Sequence, residues 1–234
     1  MTVETVYLQA AYILRQQHYR ETSLLLDVFT YEYGKIALLA KGVRKTKSKT
    51  AGLLQPFMPL RLSYLGKSGL KIVTHVEIVP PVMPLQGLAL YCGFYINELI
   101  GCFLHEHDPH PELFDSYRRC LLKLAQTKHL EAALRQFEIE LLEHTGYGLQ
   151  LDGDADGLAI AADKRYRFAK GDGFVADIKG VISGTALLAL SNQDFSEPQT
   201  LTEAKLLMRM VIDSHLQGKP LKSRAVINQI IKQL

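Results

Sequence analysis

The chain has 234 residues, 47% of them hydrophobic and 22% charged, with a formal net charge of +3 and a sequence pI of about 8.6. That is enough apolar material for a sizeable core, which excludes a disordered chain, and no apolar run approaches the ~20 residues that cross a bilayer. The N-terminal MTVETVYLQA lacks a basic region followed by an apolar one, so no signal peptide is expected and the protein is placed in the cytoplasm.

The first eighty residues read as strands. TVYLQAAYILRQQHY, TSLLLDVFTYEYG, KIALLAKGV, MPLRLSYLG and LKIVTHVEIV are rich in Val, Ile, Leu and Tyr. In the fourth, Leu60, Leu62 and Tyr64 alternate with Arg61 and Ser63, the period of a half-buried strand. Five consecutive strands in so short a span are too few for a sandwich and predict a small closed barrel of the OB-fold kind. The fold class expected is therefore α+β, with this barrel as a domain over 1–80.

Charge is sorted along the chain. From Tyr33 to Val76 there is no Asp or Glu, while Lys35, Lys41, Arg44, Lys45, Lys47, Lys49, Arg61, Lys67 and Lys71 give +9, leaving −6 on the rest. Five of those charges fall in KGVRKTKSKTAG, the connection between the third and fourth strands. An acid-free basic segment on a barrel suits a polyanion, with phosphates neutralised by Lys and Arg and bases stacked on aromatic rings. Tyr31, Tyr33, Phe57 and Tyr64 are the aromatics in or beside the strands, of which Phe57 and Tyr64 are expected in the core. A solvated surface loop is the plainer reading of the same lysines.

PPVMP, residues 80–84, can continue neither ladder nor helix and marks a domain boundary. Beyond it the period becomes helical. LQGLALYCGFYINELIGCFLHEH, PELFDSYRRCLLKLA and LEAALRQFEIELLEHTG are three predicted helices, the third stopped by Gly146. Thr200 and Glu203 have capping-box spacing before EAKLLMRMVIDSHL, and Pro220 precedes a last helix starting near Ser223. A helical domain over 81–234 is thus expected, interrupted at 150–182 by an insertion in which RYRFAKGDGFVADIKG forms a hairpin turning at Gly171 to Gly173. A second basic cluster, Lys219, Lys222 and Arg224 in GKPLKSR, opens the last helix.

Candidate chemistry is sparse. GxSxG, GxxxxGK[ST], a GxGxxG after a strand and HExxH do not occur, so nothing argues for an enzyme. Cys92, Cys102 and Cys120 lack CxxC spacing and lie in apolar helical sequence, which predicts reduced, buried thiols. His105, His107 and His110 match no zinc spacing and are assigned to a polar loop. Asp152, Asp154, Asp156, Gly157 and Asp163 fit DxDxDG-x5-D, one residue type away from a calcium loop. The preceding helix stops too early and a strand follows, so no metal and no cofactor are expected there.

YRETSLLLDVFTYEYGKIALLAKGVRK, LLQPFMPL, YINELI, ALRQFEIELLEHTGYG and GKPLKSR, in this order, closely resemble the RecO family of bacterial DNA repair and recombination proteins, over the whole chain. The resemblance implies an OB-fold, a helical domain and a zinc-ribbon-like insertion. It implies no catalysis but binding of single- and double-stranded DNA, annealing of complementary strands, and, with RecR, loading of RecA onto DNA coated by single-strand-binding protein (SSB). A monomer associated with the bacterial nucleoid is expected. Family members with zinc carry two cysteine pairs, whereas this chain has none after Cys120, so the insertion is expected to be a degenerate, zinc-free ribbon. The resemblance further implies a site for the acidic, apolar SSB tail at Arg135 with Leu134, Phe137, Leu141 and Leu142; the plainer reading pairs Arg135 with Glu131 on the helix surface. Against the annealing protein stand an OB-fold RNA-binding module and an adaptor for acidic proteins, both of which lack strand annealing.

Overall fold

The computed structural model describes residues 4–45, 48, 50–66 and 70–232. They form two compact units, one of residues 1–126 with 223–234 and one of 127–222. The first two helices and most of the last fall in the same unit as the barrel strands.

In the first unit β1 (Glu4–Tyr19), β2 (Ser23–Thr30), β3 (Gly34–Ala40), β4 (Leu60–Gly66) and β5 (Lys71–Ile78) close a barrel in the order β1-β2-β3-β5-β4. This is the expected OB-fold. All neighbours are antiparallel except β3 and β5, whose parallel pairing of Leu38 with Lys71 closes the sheet. The alternation seen in the sequence fills the interior: Ile13, Leu26, Val28, Ile36, Leu38, Leu60, Leu62 and Tyr64 are at most 2% exposed. Each such side chain contributes about 1.5–3 kcal/mol relative to exposure.

Three helices complete this unit: α1 (Gly87–Phe103), α2 (Pro111–Gln126) and α6 (Lys222–Ile231), the last meeting α1. Tyr12 and Phe29 from the barrel meet Phe114 and Tyr117 of α2 with ring centroids 5.0–6.1 Å apart. Beneath them a buried polar chain is satisfied in sequence. Tyr117 Oη donates to Asn97 Oδ1 at 2.6 Å, and Asn97 Nδ2 donates to the Leu14 carbonyl at 2.9 Å. At the β2–β3 turn Gly34 adopts φ +63°, and a Cβ there would lie 2.0 Å from the Asp108 carbonyl oxygen, so only glycine lets residues 105–108 close over that end.

The second unit holds α3 (Leu130–His144), a three-stranded sheet in the order β7 (Gly173–Ala176), β6 (Arg165–Ala169), β8 (Ile182–Ser183), and then α4 (Gly184–Ser191) and α5 (Pro198–His215). The hairpin lies where its sequence pattern predicts, but β8 adds a third strand. Gly146, at φ +81°, stands just past the α3 C-terminus, as its role of stop signal requires.

The capping box does not form. Pro198 at the first turn starts α5 three residues earlier, with Glu197 and not Thr200 at the N-cap, which leaves Thr200 inside the helix. Glu203 reaches instead to β8, its Oε2 accepting the Ser183 N–H at 2.6 Å, with Arg165 4.0 Å away. Burial opposes ionisation of this carboxyl, but the Ser183 bonds and the Arg165 charge outweigh it and hold the carboxyl below its ordinary value. Its contribution to stability is therefore present above the usual glutamate range and is lost as pH falls through its folded pKa. Glu203→Ala is expected to lower the stability of this unit by about 1.5–3 kcal/mol near pH 7, and Thr200→Ala by no more than about 0.5 kcal/mol. Denaturant titration checks both; equal effects would restore the capping box.

No helix among the described residues is long and apolar enough to cross a membrane. Of the three thiols, Cys92 and Cys120 are buried as expected, but Cys102 is exposed because it falls on the outer side of the last turn of α1.

Candidate nucleic-acid interface

The strand registers decide which connections meet. Tyr19 pairs with Ser23, Leu24 with Ala40, and Leu38 with Lys71, so the β1–β2 turn adjoins the start of the β3–β4 connection, which adjoins the start of β5. Along this edge Arg20, Lys41, Arg44 and Lys45 are exposed. The connection does not float. Val43, between these charges, is 7% exposed and Leu54, at its far side, is fully buried; both join the barrel core. The Arg44 N–H donates to the Thr22 carbonyl at 2.9 Å, and the Ser48 N–H to the Lys45 carbonyl at 2.9 Å. Lys47, Lys49 and Lys67 lie outside the described residues.

Other members of the +9 segment are elsewhere. Lys71 is 7% exposed, with Nζ 5.5 Å from the centre of the Tyr64 ring, so its charge faces an aromatic and not the solvent. Lys35, at the opposite end of β3 from Lys41, donates from Nζ to the Gly101 carbonyl at 2.8 Å. Half-burial pulls its pKa below the ordinary lysine value, against the opposing pull of Glu106 and Asp27. Arg61 stands on the outer wall, 3.8 Å from Glu77. A polyanion lying on the exposed edge would meet Lys41 and Lys45, and neither Lys71 nor Lys35 is presented to it.

Of the four aromatics singled out, Tyr64 is fully buried, Phe57 packs on Phe94 at 5.0 Å, Tyr33 on Tyr64 at 6.2 Å, and Tyr31 on Phe114 at 5.6 Å. Phe57 and Tyr64 are packing residues, as expected. Among the described residues the ring most open to solvent is Tyr7, 76% exposed where β1 bulges against β4 between Val6 and Gln9. Its signal in the sequence is a break in alternation, with Val6 and Gln9 both buried across two intervening residues. Arg20 is equally hard to find: one arginine beside Glu21 does not stand out as charge.

In the second cluster Lys219 and Lys222 are exposed. Arg224 is half-buried, its guanidinium 5.7 Å from the centre of the Tyr95 ring and one of its N–H groups donating to Tyr95 Oη at 3.5 Å.

The α3 constellation is interior. Leu134, Arg135, Phe137, Leu141 and Leu142 are all at most 8% exposed. Arg135 does not pair with Glu131, which takes the Lys205 ammonium instead. Its Nε donates to Glu138 Oε2 at 2.7 Å and its Nη2 to Oε1 of the same carboxylate, which is fully buried. The fork grips a carboxylate in the way expected for a tail, but the carboxylate is the protein's own.

In the acidic loop Asp154 serves the backbone: Oδ1 accepts the N–H groups of Asp156 and Leu158 at 3.1 and 2.9 Å, an Asx-type turn. Among the described residues no three His, Cys, Asp or Glu side chains converge as a metal-binding set, in this loop or around His105, His107 and His110.

Two family models divide the chain between them: "Recombination protein O N terminal" matches residues 1–82 and "Recombination protein O C terminal" residues 84–225. Three curated relatives are similar over nearly their full length. The DNA repair protein RecO of Methylococcus capsulatus is 47% identical over 222 residues, covering 94% of this chain and 92% of that protein. Those of Mannheimia succiniciproducens and Glaesserella parasuis are 42% identical over 227 residues and 40% over 228, each covering 95% of this chain, and 100% and 95% of the relative.

Proposed function

From the premise that the chain belongs to the RecO family, a family of DNA repair proteins, we propose that it acts without bond chemistry: it binds single- and double-stranded DNA, anneals complementary strands and helps load RecA onto SSB-coated DNA. The observation that carries this reading is the basic edge of the barrel, where Lys41 and Lys45 are exposed on a connection anchored by Val43 and Leu54. A rigid base keeps those charges spaced, so phosphates can be neutralised together and their counterions released. The barrel over 1–80 is the DNA-binding domain of this proposal, with Lys219, Lys222 and Arg224 contributing a second contact.

RecR and the SSB tail are its proposed partners, and the working form is a cytoplasmic monomer at the nucleoid. The tail site at Arg135 requires α3 to open, since its five residues are buried and the guanidinium would have to exchange Glu138 for the tail's carboxylate. The test is annealing of complementary oligonucleotides, bare and SSB-coated, followed by fluorescence quenching. Acceleration of both is expected. Binding to RNA without any annealing would favour an RNA-binding module, and affinity for acidic peptides alone would favour an adaptor.

A further inference from the structure

The β1–β2 turn is the part of this edge that a count of charges along the sequence passes over. Arg20 sits at φ +50°, a backbone region that a long side chain enters at a cost of order 1 kcal/mol and that persists only where neighbours enforce it. Arg44 is the enforcer. Its N–H donates to the Thr22 carbonyl, and its Nη1 donates to the carbonyls of both Arg20 and Glu21, each at 3.3 Å. The guanidinium of Arg44 is thus turned toward the backbone of the turn, while that of Arg20, exposed, lies 5.4 Å from the centre of the Tyr19 ring.

We propose that Arg20, held over the Tyr19 ring, is a direct contact for a phosphate of the bound strand, and that Arg44 is a positioning residue which holds the turn in the conformation that presents it. This deepens the DNA-binding reading and rests on it. The chemistry follows from the two geometries. A guanidinium held over a ring at cation–π distance keeps N–H groups free for a phosphate and loses less side-chain freedom on binding. A guanidinium already donating to two carbonyls has fewer N–H groups to offer. Glu21, exposed in the same turn, is the acid next to Arg20 in the chain and accounts for the turn's weak charge signature.

The experiment is a titration of a fluorescent oligo-dT by the full chain at several salt concentrations, for wild type, Arg20→Gln, Arg44→Gln, Arg44→Ala, the two double variants and Lys41→Ala. Glutamine at 44 keeps an N–H donor for the carbonyls and removes the charge. Arg20→Gln is expected to reduce the log–log salt slope by about 0.7 and to weaken binding severalfold at low salt. Arg44→Gln should leave the slope near wild type and add nothing to Arg20→Gln. Arg44→Ala, which removes the donors as well as the charge, should lower the slope as Arg20→Gln does and cause no further loss when Arg20 is already Gln. The proposal is overturned if Arg44→Gln lowers the slope and Arg20→Gln does not, or if both lower it additively. If wild type shows no salt-dependent binding, the DNA-binding reading fails and this inference with it. If wild type binds and Lys41→Ala lowers the slope while Arg20→Gln leaves it unchanged, only the inference fails.

Discussion

Glu138→Ala is expected to destabilise residues 127–222 by about 3–5 kcal/mol, more than the loss expected for Glu203→Ala in the same unit. It would leave the Arg135 guanidinium, 5% exposed, without the carboxylate that takes two of its hydrogen bonds. Two comparisons test whether burial decides the size. Glu131→Ala breaks the exposed pair with Lys205 and should cost less than about 1 kcal/mol. Replacing both members, Arg135→Met with Glu138→Leu, should recover most of the stability, because removing a buried pair together avoids stranding a charge. Denaturant midpoints at unchanged slope measure all three. A loss under about 1 kcal/mol for Glu138→Ala would mean that Arg135 finds solvent or another carboxylate, which would make the pair exchangeable and strengthen the tail site.

The second large effect is on binding. Replacing Lys45, Lys47 and Lys49 together by Ala should lower the salt slope for single strands by about 2, close to 0.7 for each phosphate left without its lysine, and reduce affinity at low salt by on the order of tenfold or more. Weakening should be uniform across sequences, since phosphates carry no base identity. For duplexes the same three substitutions should lower the slope by about 2.7 if both kinds of DNA use this edge. Annealing of bare strands should slow in parallel. A slope that does not change would identify the stretch as a solvated loop, the plainer reading of its composition.

What was legible in the sequence and what was not have physical reasons. The barrel was legible because alternation along β4 and its neighbours is a direct image of inside and outside, as Leu60, Leu62 and Tyr64 show. Helix α4 was not, because GTALLALS is apolar on nearly every position and too short to display a period. Thr200 and Glu203 had the right spacing for a cap, but Pro198, whose fixed φ suits a first turn, set the boundary instead. Basic residues in a sequence carry charge without direction. Lys71 and Lys41 count alike until the register places one over Tyr64 and the other on the edge. Arg135 has acidic neighbours at both helical spacings, and only the distant Lys205, by occupying Glu131, shows which one it takes.

The return of the chain to its first unit has a bearing on how the protein is made. Ser223, whose N–H and hydroxyl both donate to Glu98, and Arg224, which covers Tyr95, belong to the unit that begins with the barrel but follow the whole of 127–222 in order of synthesis. At about 5–20 residues per second, the barrel with α1 and α2 would be out of the ribosome for roughly 5–20 s before those residues are made. The nascent first unit therefore waits with one side of α1 uncovered while the second unit is being completed, and that side, not the barrel, is the surface that a ribosome-bound chaperone would meet.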